Sequence, residues 1–389
     1  MKNLLLGAVS AVALLAAGSA FAAGNASTID QIGFDNNAAV DQSGSPSGAV
    51  AVIDQGLAAT QTTDAFNHAN VTQGGGAGNQ ALITQSQGAY GAVSNPSNVS
   101  NSDQQGTDGS VTVVQVGDNS SSVSQLNVSS NEFALVGQSH SANSSSIIQG
   151  GNSEFALVNQ EDGTGNSANI GQSGTGAGNI APRAHAVAGP NNLVWSENVP
   201  GSPEVSVLPG AASGLTAYGP TGASVDQVGS NNVGNVNQAG FQNFADVSQE
   251  NDSSTGGNTG FVSQGASLFQ SDGLMYQLGQ NNIASINQSG GGTTYSTVWQ
   301  NGNSNQAYST QIDSEHSVIG QGVDGDGNCC GAPAVNNDYA SVDQTTGGDN
   351  SLVTQLGSND TAFVSQTSTA NATSTITQGG SFNVASVHQ

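Results

Sequence analysis

The residues best suited to chemistry in this 389-residue chain stand in one short stretch, Asp324-Gly325-Asp326-Gly327-Asn328-Cys329-Cys330. Asp324, Asp326 and Asn328 have the D-x-D-x-N spacing that opens a calcium loop, in which alternate oxygens converge on one hard cation. The twelfth position of such a loop needs a bidentate Glu, and here it is Val335. Asp-Gly-Asp-Gly is equally an ordinary turn sequence. The stretch is therefore read as a turn, with no metal and no cofactor. In an oxidising compartment Cys329 and Cys330 have three options: a strained vicinal disulfide, a cross-link between two chains, or two free thiols. Two Cys do not make a zinc site. His68, His140, His185, His316 and His388 are scattered, and no ordered nucleophile or base partner accompanies them. No enzyme is expected.

The repeated chemistry is that of amides. Near the end the chain reads Asp360-Thr-Ala362-Phe-Val364-Ser-Gln366, and later Asn383-Val-Ala385-Ser-Val387-His-Gln389. The template is [Asn/Asp]-x-[Ala/Ser]-x-[Val/Ile]-x-Gln. It ends at 26 glutamines, from Gln31 to Gln172 and from Gln227 to Gln389; the residue two before the Gln is Val or Ile in 23 of them, and the residue six before is Asn in 14. Ser102, Met275 and Ser309 break the aliphatic slot, and Val111 breaks the small-residue slot.

Alternation over seven residues places the template side chains on one face of a β-strand. The Gly-containing arcs between strands exceed a two-residue hairpin and fall short of a helical crossover. Strand and arc at fixed period predict a solenoid. The fold class expected is all-β, a two-sheet β-solenoid. Gly stands two residues after Gln149, Gln172, Gln300, Gln355 and Gln378, whereas Asp162, Asp313 and Ser368 hold that place in other arcs, so one coil is expected to take two strands and two arcs, about 13 coils in all. At ~4.8 Å per hydrogen-bonded strand that is a rod of roughly 60 Å. Small residues let the walls approach, Val and Ile fill the core, and buried amides must pair, each Asn or Gln bonding the same amide in the coils above and below. The core and ladder positions are Asn36, Ala38, Val40 and Gln42; Asn282, Ala284, Ile286 and Gln288; Ala362, Val364 and Gln366; Asn383, Ala385, Val387 and Gln389. Gly after the Gln supplies the positive φ of a tight arc.

Residues 1–22 read as a Sec signal peptide: a charged start, an apolar run and Ala20-Phe21-Ala22. Repeats follow over 23–181 and 221–389, separated by an irregular Pro- and Gly-rich insertion at 182–220. Removing the leader leaves Arg183 as the one basic residue against 27 acids, a net charge near −26. Nucleic acid is excluded as a partner, because phosphate binding needs Lys and Arg. No later stretch is apolar enough to insert in a membrane. The acids, such as Asp41, Asp54 and Asp226, fall mostly at outward strand positions or in arcs and are expected in solvent.

Gln31-Ile-Gly33-Phe-Asp-Asn36-Asn-Ala38-Ala-Val-Asp-Gln42, Gln277-Leu-Gly279-Gln-Asn-Asn282-Ile-Ala284-Ser-Ile-Asn-Gln288 and Gln378 to Gln389 follow one pattern. It resembles the second part of the curlin repeat of bacterial curli subunits, Ser-x5-Gln-x-Gly-x-Gly-Asn-x-Ala-x3-Gln; Ser271 to Gln277 fits the first part. The resemblance covers most of the mature chain except 182–220. It implies an exported subunit that self-assembles into cross-β fibres at the cell surface, serving biofilm matrix and adhesion. The implied partners are further copies of the chain, a nucleator and an outer-membrane export machinery. A minor or nucleating subunit, or a monomeric binding solenoid of adhesin or ice-binding type, is the alternative. The outward positions lack the Thr-x-Thr column of an ice-binding face.

Overall fold

The computed structural model describes residues 24–389 apart from 33–35, 58–65, 88–96, 127–129, 162, 174–182, 187–193, 197–214, 219–220, 241–242, 252–255, 266–270, 323–334, 346 and 368–370. All regular structure among these residues is β, and no helix among them is long and apolar enough to cross a membrane. The chain is an all-β protein whose strands build one long, solenoid-like parallel sheet.

Each template segment is a strand because its side chains have two destinations. In Val233–Ala239 the residues Gly234, Val236 and Gln238 are buried, and those between them are partly or fully exposed. Neighbours in space are alternate strands in sequence. Ala26–Gln31 pairs in parallel with Val50–Leu57, which pairs with Gln80–Gln87. Asn37–Gly44 pairs with His68–Gly74, which pairs with Val99–Gln104. Two long strands, Ser110–Gln125 and Phe133–Gln149, each carry two segments and join both series, so 25 strands form one hydrogen-bonded sheet. Register is kept by the template: Gln55 lies opposite Gln85, and Ile53 opposite Ile83.

The insertion leaves this register untouched. Glu154–Glu161 pairs directly with Thr221–Val228, and Ser167–Ser173 with Val233–Ala239. Within the insertion, Arg183–Ala186, Val194–Ser196 and Leu215–Tyr218 form a separate antiparallel sheet.

The main core is an apolar column of the Ala and Val/Ile template positions, and a smaller cluster of Phe155 and Leu157 with Leu135 lies apart from it. The slot four before a Gln packs against the aliphatic slot of the facing strand: a Cβ on Gly234 would lie 2.6 Å from Val225 Cγ1. This contact accounts for two of the template's exceptions. Met275 is larger than Val, and it faces Gly260, where a Cβ would lie 2.6 Å from the Met sulfur. Ser309 replaces an aliphatic residue, and the hydroxyl of Ser296 donates to its Oγ across 2.8 Å, so the buried polar pair is satisfied.

The arcs use two left-handed residues. The first is the Gly two after the Gln, as at Gly279 (φ 107°), where an added Cβ would lie 2.1 Å from the Gly302 carbonyl oxygen. The second is four after the Gln and is often Asn, as at Asn231, Asn281 and Asn359. Asn tolerates this region better than most residues with a Cβ.

Candidate functional site

Two files of glutamines run the length of the sheet. One passes from Gln31 through Gln55, Gln85, Gln115, Gln138 and Gln160 to Gln227, and on through Gln249, Gln277, Gln300, Gln321 and Gln355 to Gln378. The other passes from Gln42 through Gln73, Gln104, Gln125, Gln149 and Gln172 to Gln238, and on through Gln264, Gln288, Gln311, Gln344 and Gln366 to Gln389. In every link Nε2 of the earlier Gln donates to Oε1 of the later one, as for Gln277 to Gln300 at 2.8 Å and Gln366 to Gln389 at 2.9 Å.

The second hydrogen of the amide crosses the core. Gln55 donates to the Asn37 carbonyl at 3.1 Å, Gln277 to that of Thr259 at 3.1 Å, and Gln366 to that of Asn350 at 3.2 Å. This contact decides which end of each amide is nitrogen, because a backbone carbonyl only accepts. A buried Gln therefore makes three bonds, and leaving any of them unmade costs about 1–3 kcal/mol.

The template asparagines work differently from the expected amide-to-amide ladder. Asn282 Oδ1 accepts the backbone N–H of Asn305 at 3.0 Å, and its Nδ2 donates to the carbonyls of Leu278 (3.1 Å) and Gly302 (2.8 Å). Asn thus ties an arc to itself and to the next strand, closing backbone groups that the sheet cannot reach. Direct links of the expected kind occur from Asn67 to Asn36 and from Asn98 to Asn67. Asn383 donates to the Asp360 carboxylate at 3.0 Å. The asparagines also segregate: the file that ends at Gln389 has Asn or Asp six before each of its glutamines, whereas the other file mixes Asn with Gly, Ala, Ser, Thr, Glu and Asp there.

Ala284, Ile286, Gln288, Ala362, Val364, Gln366 and Asn282 are buried. Asn36, Ala38, Val40, Gln42, Asn383, Ala385, Val387 and Gln389 are only partly buried, being on the terminal strands of the sheet. Asp324, Asp326, Asn328, Cys329 and Cys330 lie outside the described residues. Among the described residues no group of three or more His, Cys, Asp or Glu is placed to hold a metal ion.

The acids depart most from the sequence reading. Asp226 points outward as expected, yet is 4% exposed and accepts from Asn159 Nδ2 at 3.1 Å; burial, aided by the Glu161 charge, pushes it up to about 7. Asp246 is buried beside Ser224, which donates to it, and burial raises it well above the usual carboxylate range. Glu132, Glu154, Glu315, Asp338, Asp349 and Asp360 occupy the inward position six before a Gln and are buried. They accept backbone N–H groups as Asn does: Asp338 from Asp360 at 2.9 Å, Asp349 from Ala372 at 2.8 Å, Glu315 from Ile312 at 2.7 Å. Burial pushes Glu315 up to about 8 and Asp338 up to about 6. Their place in the template is the signal that they would be enclosed.

No protein-family model matches this chain, and no curated protein matches it.

Proposed function

We propose that the chain is a secreted structural subunit that self-assembles into extracellular, curli-like amyloid fibres of a biofilm matrix. On this reading the two series of alternate strands are the two walls of a β-solenoid of about 13 coils, and the fibre extends the same cross-β stacking from copy to copy. The observation that carries the proposal is the state of the terminal strands. Among the described residues, Ala26–Gln31 and Asn37–Gly44 at one end, and Thr373–Gln378 and Val384–His388 at the other, are each paired on one side only. Their inward residues Ile29, Ala38, Val40, Ala385 and Val387 pack on the core and stay partly exposed. A sheet edge with an open core is a template for another copy. The test is the mature chain at neutral pH, followed by thioflavin T and electron microscopy. Fibres are the expected product. A chain that stays monomeric for days at high salt is instead a monomeric binding solenoid.

A further inference from the structure

We propose that Asp338 and Asp360 hold one hard divalent cation, Ca²⁺ by the chemistry of the donors, in the arcs of two successive rungs. The site adds a ligand to the fold and holds whether or not copies of the chain assemble.

Each rung of the asparagine column supplies an acceptor and a donor. Oδ1 of Asn258, Asn282 and Asn305 accepts the backbone N–H of the next member of the column. Nδ2 of each donates to a carbonyl of the next arc: of Gly279 at 2.9 Å, Gly302 at 2.8 Å and Val335 at 3.1 Å. Asp338 and Asp360 continue this column beside the paired strands Tyr339–Gln344 and Thr361–Gln366. The acceptor half is kept. Oδ1 of Asp338 takes the N–H of Asp360 at 2.9 Å, and Oδ1 of Asp360 takes the N–H of Asn383 at 2.8 Å and its Nδ2 at 3.0 Å. The donor half is lost, because a carboxylate only accepts. Asp338 and Asp360 are 1% and 0% exposed, and neither Oδ2 has a hydrogen-bond partner.

The second oxygen of Asp360 is aimed into the arc. A Cβ built on Gly357 would lie 2.7 Å from it and 1.1 Å from the carbonyl oxygen of Gly380, so these two oxygens are neighbours. In the earlier rungs an amide nitrogen meets the carbonyl at this place. Here two enclosed oxygens meet with no hydrogen between them, which is unfavourable for an ionised carboxylate. A cation reverses the sign of the contact. The two carboxylates stand one rung apart, ~4.8 Å, about twice the 2.3–2.6 Å of a Ca²⁺–oxygen bond. An ion between them would take Asp338 Oδ2, Asp360 Oδ2 and the Gly380 carbonyl. This all-oxygen set suits Ca²⁺ rather than a metal that seeks thiolate or imidazole.

The test is calorimetric titration with CaCl₂ of the freshly purified mature chain, cleared of metal with EDTA, at neutral pH and constant salt. The comparison is the double variant Asp338→Asn with Asp360→Asn. It restores the asparagine of the earlier rungs, so its circular dichroism should match that of the unsubstituted chain. The unsubstituted chain is expected to bind one ion with Kd on the order of 10⁻⁴–10⁻³ M, as extracellular calcium modules do. Binding by the double variant should be weaker by about tenfold or more, which is roughly 1.4 kcal/mol per tenfold. Asp324→Asn with Asp326→Asn should leave binding unchanged. No binding by the unsubstituted chain in that range overturns the site. Equal binding by the double variant overturns it as well, and means an adventitious ion only, held elsewhere on an acidic chain. Should the double variant fail to fold, Asp360→Asn alone decides: it keeps Asp338 and removes one of the two carboxylates, and undiminished binding there overturns the site.

Discussion

Gln160 and Gln227 stand 67 positions apart in sequence and are adjacent rungs of one file, with Nε2 of the first 2.8 Å from Oε1 of the second. Whatever the residues between them do, the ladder passes by without a missed bond, and the neighbouring file makes the same step from Gln172 to Gln238 at 2.9 Å. The sheet on either side of the insertion is therefore continuous.

Excision of the insertion follows. Replacing residues 174–220 with a five-residue arc of the same sequence as Ala239 to Asn243 is expected to leave the sheet folded, since both strand pairings across the gap already exist. Circular dichroism of the shortened chain should keep the β signal and a cooperative melt. Loss of the β signal would show that the insertion is needed to hold the register.

Gln277 is a central rung, fully buried, with partners in Gln249, Gln300 and the Thr259 carbonyl. Gln277→Leu leaves all three without their bond and should cost on the order of 3 kcal/mol or more. Gln80 is exposed on its strand, and Gln80→Leu should change stability by about 0.5 kcal/mol or less. Chemical denaturation of the two variants measures the difference; equal losses would remove the ladder as a source of stability.

Val364 is 2% exposed in the core column, and its neighbour Ser365 faces outward. Val364→Asp buries a charge with no partner and should cost about 3–5 kcal/mol, enough to impair folding or assembly. Ser365→Asp should do little. Similar melting of the two variants would contradict the inward and outward assignment of that strand.

Acid should stabilise this fold. Glu315, Asp226 and Asp338 titrate at about 8, 7 and 6 when folded, raised first of all by burial, against about 4 in an unfolded chain. The folded state then holds protons that the unfolded state has released, so stability falls as pH rises from about 4 to 8. Thermal midpoints at pH 5 are expected above those at pH 8, and Glu315→Gln should flatten the upper part of that dependence. A midpoint that rises toward pH 8 would contradict the enclosure of these acids.

Assembly should respond to salt. The chain carries 27 acidic residues against two basic ones, a formal net charge of −25, and stacking copies brings like charges together. At 0.1 M salt the screening length is about 10 Å, so thioflavin T lag times should shorten as salt or divalent cation is added. Lag times that lengthen with salt would mean that opposite charges, not strand edges, drive the contact.

The strands, their ends and their inward faces were legible in the sequence because alternation is a local property: one residue's direction sets that of the residue two away. The Gly at the first left-handed arc position was legible for the same reason, and the Gln file followed once identical segments were stacked. Other features came only with the tertiary structure. An Asn-rich column and a mixed one, which a single template had merged, separate once alternate strands pair, as a coil of two strands had led one to expect. Asn282 turns its amide to the carbonyl of Leu278 in its own arc, just before the left-handed Gly279, and to that of the left-handed Gly302 in the next arc of its file. Asp226, outward by its place in the strand, is enclosed. The shared direction of the glutamine amides came from contacts between strands 15 to 60 residues apart in sequence, such as Gln321 with Gln306 and Gln227 with Ser167. A strand's alternation says which way a side chain points, whereas the carbonyl it meets there depends on how the whole chain has coiled.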